Sequence, residues 1–181
     1  MVKIFLGILV VTVVGILIFK AIDPSQETAG GNAPTTLVSD DSNTISCRIS
    51  GEVSRPGTYK CDINSTLADL IKVAAGETSN ADELAYDTSY VLQQGLEFYI
   101  APKYKTDSVC STDPIIKFNV NTAQEDEIKE VSGIGTAVAK AIVNYRQSGN
   151  TFKRIEDIKN VSGIGNATFE KLKNIIRLRD E

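Results

Sequence analysis

The pentapeptide VSGIG stands twice in this chain, at 131–135 and again at 161–165, thirty residues apart. Paired glycines of this kind suit three uses: a nucleotide loop, a plain turn between helices, or a turn whose own backbone does chemistry. A dinucleotide fingerprint needs a third glycine three positions after the second, and a strand ahead of the loop. Here Val138 and Thr168 occupy those positions, and the preceding residues read as helix. A phosphate loop needs Gly-Lys-Ser/Thr, whereas Gly135 is followed by Thr-Ala and Gly165 by Asn-Ala. Both nucleotide readings fail. A helix–GxG–helix hairpin remains, and its chemistry lies in the backbone. Two glycines permit a sharp turn and close approach of another molecule. The helix that follows opens on N–H groups without intrahelical partners, which suit an anion such as phosphate. A single such turn reads as an ordinary connection; two in register read as a paired phosphate clamp that reads no bases.

The elements that must position these turns repeat as well. A shift of thirty residues superposes Ile128 on Ile158, Lys129 on Lys159, Ala137 on Ala167 and Asn144 on Asn174. Each copy is expected to be a short helix, the glycine turn and a second helix. Asn121 or Thr122 offers an N-cap, with Gln124 or Glu125 three positions on as the other half of a capping box. Ile128 and Val131 give the first helix an apolar edge, and Val138, Ile142 and Tyr145 do the same for the second. Ile134 is expected to pack its turn onto the hairpin's own core.

Ahead of the repeat, ISCRISGEV and GTYKCDI flank the turn SRPG as a β-hairpin. STLADLIKVAAG follows as a helix with Ser65 or Thr66 as N-cap, Leu67, Leu70, Ile71 and Ala74 inward, and Gly76 as its stop. YVLQQGLEFYIAP supplies one or two further strands around Gly95. Hairpin, helix and returning strand make a small β-grasp-like α+β unit. Cys47 and Cys61 lie symmetrically about Ser54 in the hairpin. Facing each other they would form a disulfide closing a loop of about 15 residues and contributing roughly 3 kcal/mol; otherwise they are two buried thiols. Cys110 is then free or intermolecular.

The 181-residue chain contains no histidine, which removes Ser-His, Cys-His and His-metal catalysis. Residues 4–19 carry no charge and are bounded by Lys3 and Lys20. Sixteen helical residues give about 24 Å, approaching a membrane span with Ala21 and Ile22 added. A cleavable signal peptide is the rival, but its apolar region is usually about 7–15 residues. The run therefore reads as an uncleaved anchor, N-terminus inside and body outside. The expected order is a transmembrane anchor at 1–22, a flexible linker at 23–44, the β-grasp-like domain at 45–104, a linker at 105–116 and an all-α tandem hairpin domain at 117–181. Residues 1–116 hold 8 Lys or Arg against 14 Asp or Glu, while 117–181 hold 11 against 9, so the hairpin unit is mildly basic.

Two resemblances follow from these residues. Gly51-Glu52-Val53, Pro56-Gly57-Thr58-Tyr59, the helix from Leu67 to Gly76 and Ile100-Ala101-Pro102 resemble an SLBB domain, a soluble-ligand-binding β-grasp. That likeness implies self-association or a part in sugar-export assemblies. FNVNTAQEDEIKEVSGIG and AIVNYRQSGNTFKRIEDIKNVSGIG resemble the tandem helix-hairpin-helix module of the ComEA-type competence DNA receptors. The order of anchor, SLBB-like domain and tandem hairpins is similar to the membrane-tethered form of that family. The resemblance implies capture of extracellular double-stranded DNA for natural transformation, with the cell membrane and DNA-uptake machinery proteins as partners and a homo-oligomer through the SLBB-like domain. It implies no enzyme activity, no cofactor and no metal.

By that likeness, DNA contacts fall on Gly133, Gly135, Thr136 and Ala137, and on Gly163, Gly165, Asn166 and Ala167. Ile134 and Ile164 complete the turns, and Lys140 and Lys171 are the nearest lysines. Many family members carry Pro before the first glycine and Lys soon after the second; here Ser132 and Ser162, Thr136 and Asn166 stand there instead. Arg146, Lys173, Arg177 and Arg179 are further basic candidates, and Arg154 occupies a position where the family commonly has a capping Ser. An enzyme acting on DNA would need a catalytic pocket domain or carboxylate metal cluster, which the acidic stretch at 125–130 does not supply. An envelope-assembly or polysaccharide-export scaffold built on the SLBB-like domain is the alternative.

Overall fold

Gly51 shows how the first sheet closes. A β-carbon there would stand 2.2 Å from the Ile100 carbonyl oxygen, so only glycine lets the two backbones approach this closely. The computed structural model describes residues 43–105 and 113–180. Strand β1 (Thr44–Gly51) pairs antiparallel with β2 (Gly57–Asp62) and parallel with β3 (Glu97–Ile100), in the order β2-β1-β3. Helix α1 (Leu67–Val73) lies in the crossover from β2 to β3. Its N-cap is Thr66, whose N–H reaches the Asp69 carboxylate at 2.8 Å. Leu67, Leu70, Ile71 and Ala74 are buried with Ile49, Phe98 and Ile100, as the apolar spacing requires.

The hairpin register turns about Val53, one residue earlier than the Cys47–Cys61 symmetry implied. Cys47 therefore faces Tyr59, and Cys61 faces Ile45. The two thiols are diagonal neighbours, normally about 7–8 Å apart between strands, whereas a disulfide needs β-carbons about 3.5–4.5 Å apart. Both are free and buried, and burial pushes both thiols above their ordinary value. The disulfide expectation is corrected accordingly. Cys110, the apolar run at 4–19 and most of both linkers lie outside the described residues. Among the described residues, no helix is long and apolar enough to cross a membrane. The ends of the second linker meet: Tyr104 bridges Pro114, and Ile115 N–H donates to the Lys103 carbonyl at 3.0 Å.

The repeat forms α2 (Glu125–Ser132) and α3 (Thr136–Gln147), then a six-residue 3-10 helix (Ile155–Asn160) and α4 (Asn166–Leu172). The first helix of the second copy is therefore 3-10 rather than α. Arg154 and Asp157, three residues apart, explain the tighter winding. Their side chains pair at 2.8 Å, and Asp157 Oδ2 also takes the Arg154 N–H at 2.9 Å, a contact suited to three residues per turn. The unit is not wholly α. Strands β4 (Phe118–Asn119) and β5 (Ile176–Arg177) pair in parallel and tie its ends, with Phe118 and Ile176 buried beneath. The anticipated capping box is also absent, since Gln124 is the N-cap of α2. Asn121 instead donates to the Phe152 and Leu178 carbonyls at 2.9 and 3.1 Å and accepts from Phe152 N–H at 2.9 Å. It staples the start of one copy to the approach to the next.

All described residues belong to one compact unit, residues 41–181. Ala85 and Ala101 of the β-grasp part join the hairpin core of Ile128, Ile142, Ile158 and Leu172. Beside them Asp82, 1 % exposed, pairs with Lys117 at 2.7 Å and with Arg177 at 2.9 Å. Burial works to raise the Asp82 carboxyl, but hydrogen bonds and charge from Lys117 and Arg177 override it and hold it below its ordinary value.

Candidate nucleic-acid interface

The two turns divide their glycines between two tasks. Gly133, at φ 63°, is the left-handed cap of α2, and Gly163 takes φ 88° at the equivalent place. Ile134, half-buried, and Ile164, 4 % exposed, pack against the hairpin core, as the sequence anticipated for the residue between the glycines. Ser132 closes the first turn from its side chain: its Oγ donates to the Ile128 carbonyl and accepts from Ile134 N–H at 3.2 Å. Serine thus holds a bend that other members stiffen with proline.

Gly135 and Gly165 are N-caps with φ −66° and −94°, ordinary values for any L-residue. A β-carbon on either would meet nothing within 4 Å. Neither backbone strain nor internal packing therefore accounts for glycine there. Ser, Thr, Asp or Asn would cap at least as well, but each would cover the first-turn N–H groups with its own side chain. As built, no side chain caps α3 or α4. Thr136, Ala137, Asn166 and Ala167 are exposed, as are Lys140 and Lys171. The surface has small or absent side chains at its centre and a lysine one turn along each helix.

The other basic candidates point elsewhere. Arg146 donates to the Val120 and Ala123 carbonyls at 3.0 and 2.9 Å, locking α3 to the approach of α2, and burial pulls its value down. Lys173 pairs with Glu170 at 2.5 Å and lies over the Tyr99 ring. Arg177 is bound to Asp82, and Arg179 donates to the Glu83 and Tyr86 carbonyls. Arg154 lies over the Tyr90 and Phe98 rings of the β-grasp part. Sequence reasoning missed that these cations hold the two halves together, because their partners lie from 23 to 96 residues away. Replacing Arg146 with alanine is expected to cost about 2–3 kcal/mol of stability through two lost charged hydrogen bonds. It should leave the salt dependence of DNA binding unchanged, and chemical denaturation with binding titrations checks both.

Comparison with known proteins agrees with this division of the chain. The helix-hairpin-helix motif family matches residues 114–177, and the SLBB domain family matches residues 47–86. ComE operon protein 1 of Bacillus subtilis is 31% identical over 91% of this chain and 89% of its own length. A human protein named endonuclease/exonuclease/phosphatase family domain-containing protein 1 is 37% identical, but over 38% of this chain and 13% of its own length. An uncharacterized protein of Haemophilus influenzae is 46% identical over 33% of this chain and 54% of its own. With an SLBB domain, a helix-hairpin-helix unit carrying two open glycine turns, and a relative matched from end to end, the chain belongs to the ComEA-type competence DNA receptors.

Proposed function

We propose that this protein is a non-enzymatic receptor that holds double-stranded DNA outside the cell for uptake, gripping phosphates without reading bases. The observation that carries this reading is the pair Gly135 and Gly165, whose missing side chains serve only an approaching partner. Phosphate oxygens fit the uncapped N–H groups and bring no sequence information with them. Lys140 and Lys171 add charge one turn along each helix. The apolar run at 4–19 serves as the anchor that keeps the receptor at the membrane, with its body on the outer side. The part shared with the endonuclease/exonuclease/phosphatase relatives is a small fraction of their length, so their name carries no catalytic reading to this chain.

The test is a titration of the protein against duplexes of unrelated sequence across salt. Equal affinities are expected, and about four neutralised phosphates give a log–log slope of roughly −3.6. A strong preference for one sequence, or a slope near zero, overturns the phosphate grip. Polysaccharide binding without DNA binding would return the protein to the envelope-assembly class.

A further inference from the structure

The 3-10 helix that leads into the second glycine turn lies against the outward edge of β3. The parallel ladder with β1 uses Leu96, Phe98 and Ile100, as in the Arg48 N–H to Leu96 and Glu52 N–H to Ile100 carbonyl bonds of 2.9 and 2.8 Å. Glu97 and Tyr99 therefore turn their main-chain groups away from the sheet, where an edge strand would need another partner. The 3-10 helix supplies it from side chains. Glu156 Oε1 accepts Tyr99 N–H at 2.5 Å, and Arg154 donates to the Glu97 carbonyl at 3.2 Å. On the far side of the same turn, the Tyr99 hydroxyl donates to Asn174 Oδ1 at 2.7 Å. The SLBB sheet thus grips the second hairpin both before and after Gly163–Gly165.

Glu156 is 8 % exposed and borders a cleft of about 210 Å³ between the sheet and this hairpin. From its own helix it is faced by Arg154, Asp157 and Lys159, with Lys153 just ahead. From the sheet come Arg48, Glu97 and Tyr99, and from the loop after residue 85 come Tyr86 and Asp87. From α4 and its end come Glu170 and Lys173. We propose that Glu156 is the positioning residue that ties the second DNA-gripping turn to the SLBB domain. Its protonation tightens that tie, so the receptor holds DNA more firmly in mildly acidic than in mildly alkaline medium. This rests on the DNA-receptor reading above.

Burial lifts the Glu156 carboxyl from 4.5 to about 7, against the pull of its own backbone N–H, Arg154 and Tyr99 N–H. A value raised in the closed contact means that the contact's advantage is complete below 4.5 and is lost as pH rises through about 7. Ionisation also adds a negative charge beside the hairpin that meets phosphate, so both effects carry the same sign. The chain has no histidine, the side chain that ordinarily titrates in this window. Burial moves Tyr99 up and away from it, and hydrogen bonds from Ser89 move Asp87 down.

The experiment is fluorescence anisotropy of a labelled mixed-sequence duplex with the full chain in detergent, at fixed ionic strength. Kd should rise by up to about tenfold between about pH 6 and about pH 8. Binding near pH 7 should take up part of a proton, measurable in weak buffer, because coupling is reciprocal. The Glu156→Gln variant, which keeps a neutral acceptor for Tyr99 N–H, should hold the acidic-side affinity at both pH values and take up no such proton. A flat profile in a parent protein that still binds DNA overturns the proposal alone, as does a profile unchanged in Glu156→Gln. Absence of binding at every pH overturns the receptor reading and this proposal with it. Should Glu156→Gln not fold, the parent profile and its proton uptake decide the question.

Discussion

With Gly135→Thr and Gly165→Thr combined, duplex binding is expected to fall by at least about a hundredfold while thermal stability holds or rises slightly. The two halves of that result have separate causes. Threonine is accepted at φ −66° and −94°, its β-carbon meets nothing within 4 Å, and it caps a helix about as well as glycine. The fold therefore has no reason to suffer. The new hydroxyl and methyl, however, stand where a phosphate must approach and cover the N–H donors it would use. Losing even two charge-assisted hydrogen bonds removes about 3 kcal/mol or more, which is a hundredfold or more in Kd. Substituting Gly133 and Gly163 instead confounds the measurement. Their φ of 63° and 88° would place a β-carbon in left-handed backbone at roughly 1–2 kcal/mol per site, so stability falls along with binding. Anisotropy titration beside a thermal melt separates the cases. A Gly135→Thr, Gly165→Thr protein that binds like the parent removes the clamp.

The repeat was legible because its information is local. Glycine in a tight turn, isoleucine on an inward face and a fixed spacing of thirty residues need only the chain's own geometry, and Ile128 and Ile158 are both fully buried as the superposition implied. The SLBB helix was legible for the same reason, from Thr66 to the positive φ of Gly76. Features set by distant partners were not. The hairpin register depends on β1 staying paired with β3 through Gly51, which moves the turning point from Ser54 to Val53 and parts the two cysteines. Asn121 reads as a cap from its neighbours, yet its partners Phe152 and Leu178 are 31 and 57 residues away. Basic residues beside a DNA-binding turn invite a phosphate role, and no local signal shows that Arg177 is committed to Asp82, 95 residues back. The grip on DNA consequently relies on backbone N–H groups and fewer lysines than the raw charge count suggests.

Replacing Asp82 with alanine is the substitution expected to cost the fold most. One Asp82 oxygen accepts Leu84 N–H at 3.2 Å, while the other faces Lys117 at 2.7 Å and Arg177 at 2.9 Å. The Lys117 side chain is 0% exposed, and burial already pulls its ammonium below its ordinary value. Without Asp82 that charge keeps its burial and loses its counter-ion, a change that typically costs about 3–5 kcal/mol. Folding stabilities of single domains run only about 5–15 kcal/mol, so this variant should unfold early in denaturant. Lys117→Met is the informative contrast. It removes the buried cation, fills similar volume, and leaves Asp82 paired with Arg177 and Leu84 N–H, so a loss of no more than about 1–2 kcal/mol is expected. The pH dependence should follow the carboxylate. Because Asp82 sits below its ordinary 3.8, its contribution is present above that value and is lost as pH falls through the lower, folded-state one. Urea denaturation of the three proteins near neutral and acidic pH tests this ordering. If Asp82→Ala is no less stable than Lys117→Met, the bond between the SLBB domain and the hairpins owes its strength to apolar packing around Ala85 and Ala101 rather than to this ion triad.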